Sequence, residues 1–267
     1  MAPLSITTIQ TDLSWEDKAS NLNMLEKKIF SVAASTELIV LPEMFSTGFS
    51  MKPEQFAETM DGPTVCWMKR LASTHKIILT GSLMIEEGGK YYNRLLWILP
   101  NGQSGQYDKR HLFAYGHEDR HYSPGNRRLI ASVNGWKVNL QVCYDLRFPV
   151  WSRQQLDPQA AQSQPEYDLL IYVANWPERR SLAWKTLLQA RAIENQCYVA
   201  GVNRVGLDGH QISHSGDSML VDPAGEILYQ KSGEEDLFTY RLQKERLQEV
   251  RSRFPFWKDA DQFHIEP

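Results

Sequence analysis

The sequence predicts an α/β fold in one domain, with helices flanking sheets. Three observations predict it. Apolar runs of strand length recur along the chain, at residues 4–9, 37–41, 136–142 and 168–174. Between them lie segments with apolar residues at helical spacing, the first being Leu22, Leu25, Ile29 and Val32. This alternation is present in both halves, with no linker-like stretch or short repeat to divide them, as expected where helices cover a sheet. A length of 267 residues suits one such domain, spanning 1–267.

The elements follow in order. After the first strand, Ser14 is the expected N-cap of the amphipathic helix, with Asp17 in the capping-box position. The strand at 37–41 completes a β-α-β unit. Val65, Met68, Leu71 and Ala72 mark a second helix. Strands at 76–85 and 91–99 are joined by Glu87-Gly88-Gly89, and Asn101-Gly102 and Asn134-Gly135 are hairpin signals. A short helix is expected at 150–156, then a polar loop at 157–166. The strand at 168–174 is nearly all apolar, as a strand covered on both faces should be. A helix at 181–195, a strand at 197–203, the Asp208-Gly209 turn and a hairpin of 218–222 with 226–230 follow. The tail, about 242–267, opens with a helix at 242–253. Its Phe254-Pro255-Phe256-Trp257 is aromatic enough to pack against something, a partner subunit being one candidate.

Composition excludes several classes. With 29 Lys+Arg against 32 Asp+Glu the net charge is −3, and no basic stripe points to nucleic acid. No apolar run approaches the roughly 18 residues of a membrane span. The N-terminus lacks the pattern of a signal peptide. Three cysteines, an odd number and none in a CxxC pair, argue for a reducing compartment rather than a disulfide framework. A cytoplasmic protein is expected.

The candidate chemistry lies where strands end. Cys143 follows the strand 136–142 and opens the turn 144–149, which presents a thiol on a rigid support. Glu43 follows the run 38–41 and the Pro42 break. Lys109 follows a hairpin arm. Glu43, Cys143 and Asn175 all lie just beyond the carboxyl ends of expected strands, where α/β proteins build their sites. A cysteine with a pKa of about 8.5 is mostly thiol at neutral pH and needs a base. A carboxylate can take its proton, and an ammonium can stabilise the oxyanion that attack creates. The backbone N–H of Tyr144 is a second oxyanion donor. Attack on an amide or nitrile carbon then gives a thioester that water hydrolyses, with no metal or organic cofactor.

These residues resemble the nitrilase superfamily of carbon–nitrogen hydrolases. The resemblance rests on 41–45 (Leu-Pro-Glu-Met-Phe), 107–113 (Tyr-Asp-Lys-Arg-His-Leu-Phe), 142–149 (Val-Cys-Tyr-Asp-Leu-Arg-Phe-Pro), 174–177, 191–195 and 214–218, in the family's order and across essentially the whole chain. It implies a single-domain α-β-β-α sandwich that usually dimerises into a stacked α-β-β-α–α-β-β-α assembly. It implies Glu43 as general base, Lys109 as oxyanion stabiliser and Cys143 as nucleophile. It also implies that Glu118, ahead of Ser123-Pro124-Gly125, orients Lys109 or the substrate amide. Within the superfamily the chain looks most like omega-amidases, which hydrolyse 2-oxoglutaramate and similar monoamides of dicarboxylic acids.

Such a substrate has a far carboxylate, for which Arg147 and Arg179 are the candidate forks. Arg147 has the competing reading of an ion pair with Asp145 or Glu194. Phe45, Tyr115, Tyr144, Phe148 and Trp176 are candidate pocket residues. His117-Glu118-Asp119-Arg120-His121 matches the zinc-peptidase pattern, but lacks the apolar periodicity of the helix that mechanism needs, so no metal is expected. The competing functions are another hydrolase of the superfamily (nitrilase, carbamoyl-amine hydrolase or aliphatic amidase) and a catalytically inactive binding protein.

Overall fold

The protein's computed structural model describes residues 2–155 and 164–265. The first half contains β1 (Leu4–Gln10), α1 (Lys18–Val32), β2 (Leu38–Val40), α2 (Pro53–Phe56), α3 (Pro63–His75), β3 (Ile78–Glu87), β4 (Lys90–Ile98) and β5 (Ser104–Asp108). The second contains β6 (Leu129–Val133), β7 (Trp136–Val142), α4 (Pro149–Ser152), β8 (Leu169–Ala174), α5 (Ser181–Asn195), β9 (Tyr198–Asn203), β10 (Val205–Leu207) and β11 (Ser213–Val221). It closes with β12 (Ile227–Ser232), β13 (Asp236–Leu242) and α6 (Lys244–Arg253).

The strands form two sheets. The first is six-stranded, in the order β13-β1-β2-β3-β4-β5. The second runs β10-β11-β9-β8-β7-β6, with β12 also on β11. Each has a parallel centre, β1-β2-β3 in one and β7-β8-β9 in the other, and antiparallel flanks.

Side-chain alternation sorts the layers, because successive strand residues face opposite sides. Leu38 and Val40 of β2 join Leu169, Ile171 and Val173 of β8 in one cluster between the sheets. Ile39 instead packs outward with Leu25 and Ile29 of α1 and Met68 and Leu71 of α3. Leu170, Tyr172 and Ala174 pack outward with Trp184 and Leu188 of α5. Three apolar layers separate four structural ones, and the fold is the expected α-β-β-α sandwich. Both central strands are buried on two faces, which explains their continuous apolar runs.

Several details differ from expectation. The cap of α1 is Asp17, whose carboxylate accepts from Ser20 N at 3.0 Å. Ser14 is drawn away because buried Asn21 accepts from its N–H (2.8 Å) and donates to its carbonyl (2.7 Å). β13 lies outside the elements expected from the sequence, although its Leu237-Phe238-Thr239-Tyr240 run is rich in strand-forming residues, and it pairs with β1. The helix expected at 150–156 is the single turn α4, and Leu156 lies outside the described residues, as does most of the polar loop expected at 157–166. The C-terminal aromatics divide. The Phe254 carbonyl and Trp257 N–H bond Gln196 of the same chain at 2.6 and 3.1 Å, while the Phe254 and Phe256 rings stay exposed.

The turn after β2 is fitted tightly onto β3. Leu41 N donates to Thr80 O (2.8 Å) and Phe45 N to Ser82 O (3.1 Å). Gly81 lies between these anchors, and a Cβ there would stand 2.8 Å from Leu41 Cβ and from Phe45 Cδ1. Gly81→Ala should therefore lower the unfolding free energy by about 1–3 kcal/mol, the cost of overpacking a dense core, as measured by denaturant titration.

Candidate active site

The carboxyl ends of β2 and β8 meet between the sheets. The Glu43 carboxylate accepts from Asn175 N at 2.8 Å through Oε2, and the Glu43 carbonyl accepts from Asn175 Nδ2 at 2.6 Å. Lys109, at the end of β5, reaches the same point. Its Nζ donates to Glu43 Oε1 at 2.9 Å and to both Glu118 oxygens at 3.0 and 2.9 Å. Asn93 of β4 bridges the two carboxylates, with Nδ2 2.8 Å from Glu43 Oε1 and 3.2 Å from Glu118 Oε1. Phe113 N donates to Glu118 Oε2 at 2.6 Å. All three charged side chains are fully buried. Burial alone pulls the Lys109 pKa down, but the charges of Glu118 and Glu43 outweigh it and hold the ammonium well above its ordinary value. Burial, reinforced by Glu43, raises the Glu118 carboxyl despite the opposing pull of Lys109.

Cys143 follows β7 directly and starts a 3-10 turn, Cys143–Arg147, with φ of +44°. That left-handed backbone is uncommon for a residue with a Cβ, and such strain concentrates at functional sites. Asp145 holds the turn by accepting from Val142 N at 3.0 Å, and Arg191 Nη2 of α5 donates to Leu146 O at 2.6 Å. Cys143 remains partly exposed and lines a cavity of about 210 Å³. Its thiol pKa is raised well above the ordinary value, by desolvation first and by the charge of Glu43 second, with Lys109 opposing. At neutral pH the Cys143 sulfur therefore keeps its proton.

Arg147, Arg179 and Arg180 line the same cavity. Among the described residues none of them forms an ion pair. The Arg147 guanidinium lies 4.9 Å from the Trp176 ring centroid, and that of Arg180 lies 5.1 Å from the Phe113 ring. Burial, then the charges of Arg179 and Arg147, depress the Arg180 pKa.

The order of these motifs and the sandwich that carries them agree with a known family. The carbon-nitrogen hydrolase family model matches residues 5–252. The chain belongs to the carbon-nitrogen hydrolase family. It is 42% identical to omega-amidase YafV of Escherichia coli (strain K12), over 99% of this chain and 100% of that protein. It is 31% identical to 2-oxoglutaramate amidase of Bacillus subtilis (strain 168), over 96% of each. The crystal structure of XC1258 from Xanthomonas campestris, a CN-hydrolase superfamily protein with an arsenic adduct in its active site, matches with a TM-score of 0.97. The two are 42% identical and the match covers 100% of both chains.

Within this carbon–nitrogen hydrolase the structure brings together Glu43, Lys109, Glu118 and Cys143, and sets Tyr115, Tyr144, Arg147, Arg179 and Trp176 around the cavity. Two expected wall residues are elsewhere. Phe45 is fully buried in the outer apolar layer, near Trp67, because the turn after Glu43 carries it back over Gly81. Phe148 stacks on His111 at 3.9 Å between ring centroids and is not among the cavity residues. Arg147 does not take the alternative role of an ion pair with Asp145 or Glu194. The former binds Tyr107, Val142 and His111, and the latter pairs with Arg191. Glu118 belongs to a single 3-10 turn, with His117 left-handed at φ 61°, so the two flanking histidines do not share a regular α-helical face. Asn93 and Arg180 escaped the sequence reading. Nothing around Asn93 marks it, but Arg180 stands beside Arg179 in the same conspicuous run after Pro177.

Two outcomes follow from this geometry. Lys109→Met should destabilise the protein by about 3–5 kcal/mol in thermal or chemical denaturation, because it strands buried carboxylates. Glu43→Gln removes a charge that opposes thiolate formation. Its Cys143 should alkylate with a pH midpoint lower than in the wild type, followed by mass spectrometry.

Proposed function

We propose that the protein is an amidase that hydrolyses the terminal amide of a small dicarboxylic acid monoamide, of the 2-oxoglutaramate or succinamate type, through a thioester on Cys143. One observation carries the reading. A thiol, a carboxylate and a buried ammonium converge at a cavity that also holds three arginines with no acidic partner among the described residues. A volume of about 210 Å³ is below the range of drug-sized sites and suits a substrate of a few carbons. The arginines supply the forked donors that bind a carboxylate in two-point fashion. The names of the relatives agree with that substrate class.

In this mechanism the Cys143 sulfur attacks the amide carbon as its proton passes to Glu43. The carbonyl oxygen becomes an oxyanion beside the Lys109 ammonium and the Tyr144 N–H. The tetrahedral intermediate collapses as Glu43 returns the proton to nitrogen, and ammonia leaves. Water then adds to the thioester, with Glu43 again taking a proton, and the acid departs from the regenerated thiol. Across the first step the site's net charge is constant: negative charge leaves Glu43 as the oxyanion forms. Lys109, already fixed by Glu118, meets that charge with little reorganisation, the condition under which electrostatic stabilisation is most effective.

Ammonia release tests the reading, with 2-oxoglutaramate, succinamate, glutamine, a carbamoyl amino acid and a simple nitrile as substrates. The dicarboxylic monoamides should turn over fastest, and turnover of the nitrile alone would overturn the proposal. Arg147→Ala, Arg179→Ala and Arg180→Ala should be compared on succinamate and on butyramide. At least one should lose about 1.5–3 kcal/mol of kcat/KM on succinamate, the worth of a charged hydrogen bond, and change little on butyramide.

A further inference from the structure

Asp145 is fully buried two residues after the nucleophile, and its carboxylate is shared between two segments far apart in sequence. Oδ2 accepts from Val142 N at 3.0 Å, one residue before Cys143, and from the Tyr107 hydroxyl at 2.7 Å. Oδ1 accepts from His111 N at 3.0 Å and is 2.8 Å from His111 Nδ1. Tyr107 and His111 flank Lys109 two residues to either side. The linkage is doubled by contacts around it. The His111 ring stacks on Phe148 of the nucleophile segment with an interplanar angle of 7°. Trp151 Nε1 donates to the Tyr107 hydroxyl at 2.9 Å. None of Tyr107, His111, Asp145, Phe148 and Trp151 lines the cavity, and the chemical steps above do not use them.

From this arrangement we infer that Asp145 is a positioning residue that sets the placement of Lys109 relative to Cys143. The Cys143 backbone is in a conformation it would not choose unaided, so something must over-determine it. A carboxylate with both oxygens doubly engaged does so, and it uses the chain on both sides of Lys109 as its abutment. Only a carboxylate accepts in four directions; an amide of the same shape presents two of its four bonds with the wrong polarity. The inference rests on the thioester reading, since only there does the spacing of ammonium and sulfur limit the rate.

The test is Asp145→Asn, with steady-state kinetics on succinamate and alkylation of Cys143 by iodoacetamide, each scaled to folded protein by circular dichroism. A displaced constellation of this kind loses about 10²-fold. The expected result is a kcat lower by that order with KM unchanged, and slower alkylation of Cys143 than in the wild type. Wild-type kcat and alkylation in the folded variant would overturn the inference, as would a loss explained by the unfolded fraction alone. If Asp145→Asn does not fold, Tyr107→Phe decides. It removes one of the four donors and should lower kcat about fivefold with KM unchanged, the worth of one hydrogen bond. Wild-type kcat in Tyr107→Phe would then overturn it. If the wild type turns over no amide, the alkylation comparison alone decides the positioning role, separately from the failure of the amidase reading.

Discussion

Lys109 carries its charge where neither it nor its two carboxylate partners meets water, and much of the surrounding structure answers to that constraint. A desolvated ion costs several kcal/mol unless its partners and hydrogen bonds are nearly complete. Here the ammonium has three donated bonds, and Asn93 and the N–H groups of Phe113 and Asn175 take up carboxylate oxygens. Burial first, and the charge of Glu43 second, account for the thiol's resting state. A thiolate beside Glu43 would add a further anion to a desolvated site, so the proton stays on sulfur.

The sandwich makes this grouping possible. Parallel strands at the centre of each sheet bring their carboxyl ends to one edge, so Glu43 from one sheet and Cys143 and Asn175 from the other face each other across the interior. Lys109 arrives from the edge strand β5 of the first sheet and Glu118 from a 3-10 turn, two less regular elements. Their placement depends on bonds between segments. Asp145 joins the ends of β5 and β7, while Gly81 leaves room for the Glu43 turn to lie flat on β3.

The architecture was legible because its signals are local. Both central strands reveal themselves as unbroken apolar runs, and α5 spans the 181–195 expected from spacing. Cys143, Glu43 and Lys109 were legible because each stands where a strand signal stops. Residues whose roles come from tertiary neighbours were not. Asn93 is an ordinary position in β4 until two carboxylates arrive from elsewhere. Phe45 illustrates the opposite error. Its nearness to Glu43 in sequence says nothing of direction, and a positive φ at Met44 turns it into the outer layer.

The proposed reaction passes through acyl transfer to one sulfur, that of Cys143. Rapid acid quenching during turnover of succinamate, followed by peptide mass spectrometry, detects that transfer. A succinyl group should appear on the peptide bearing Cys143, with none on Cys66 or Cys197. Continued hydrolysis by Cys143→Ala, or turnover in the wild type with the acyl group on another residue, would contradict it.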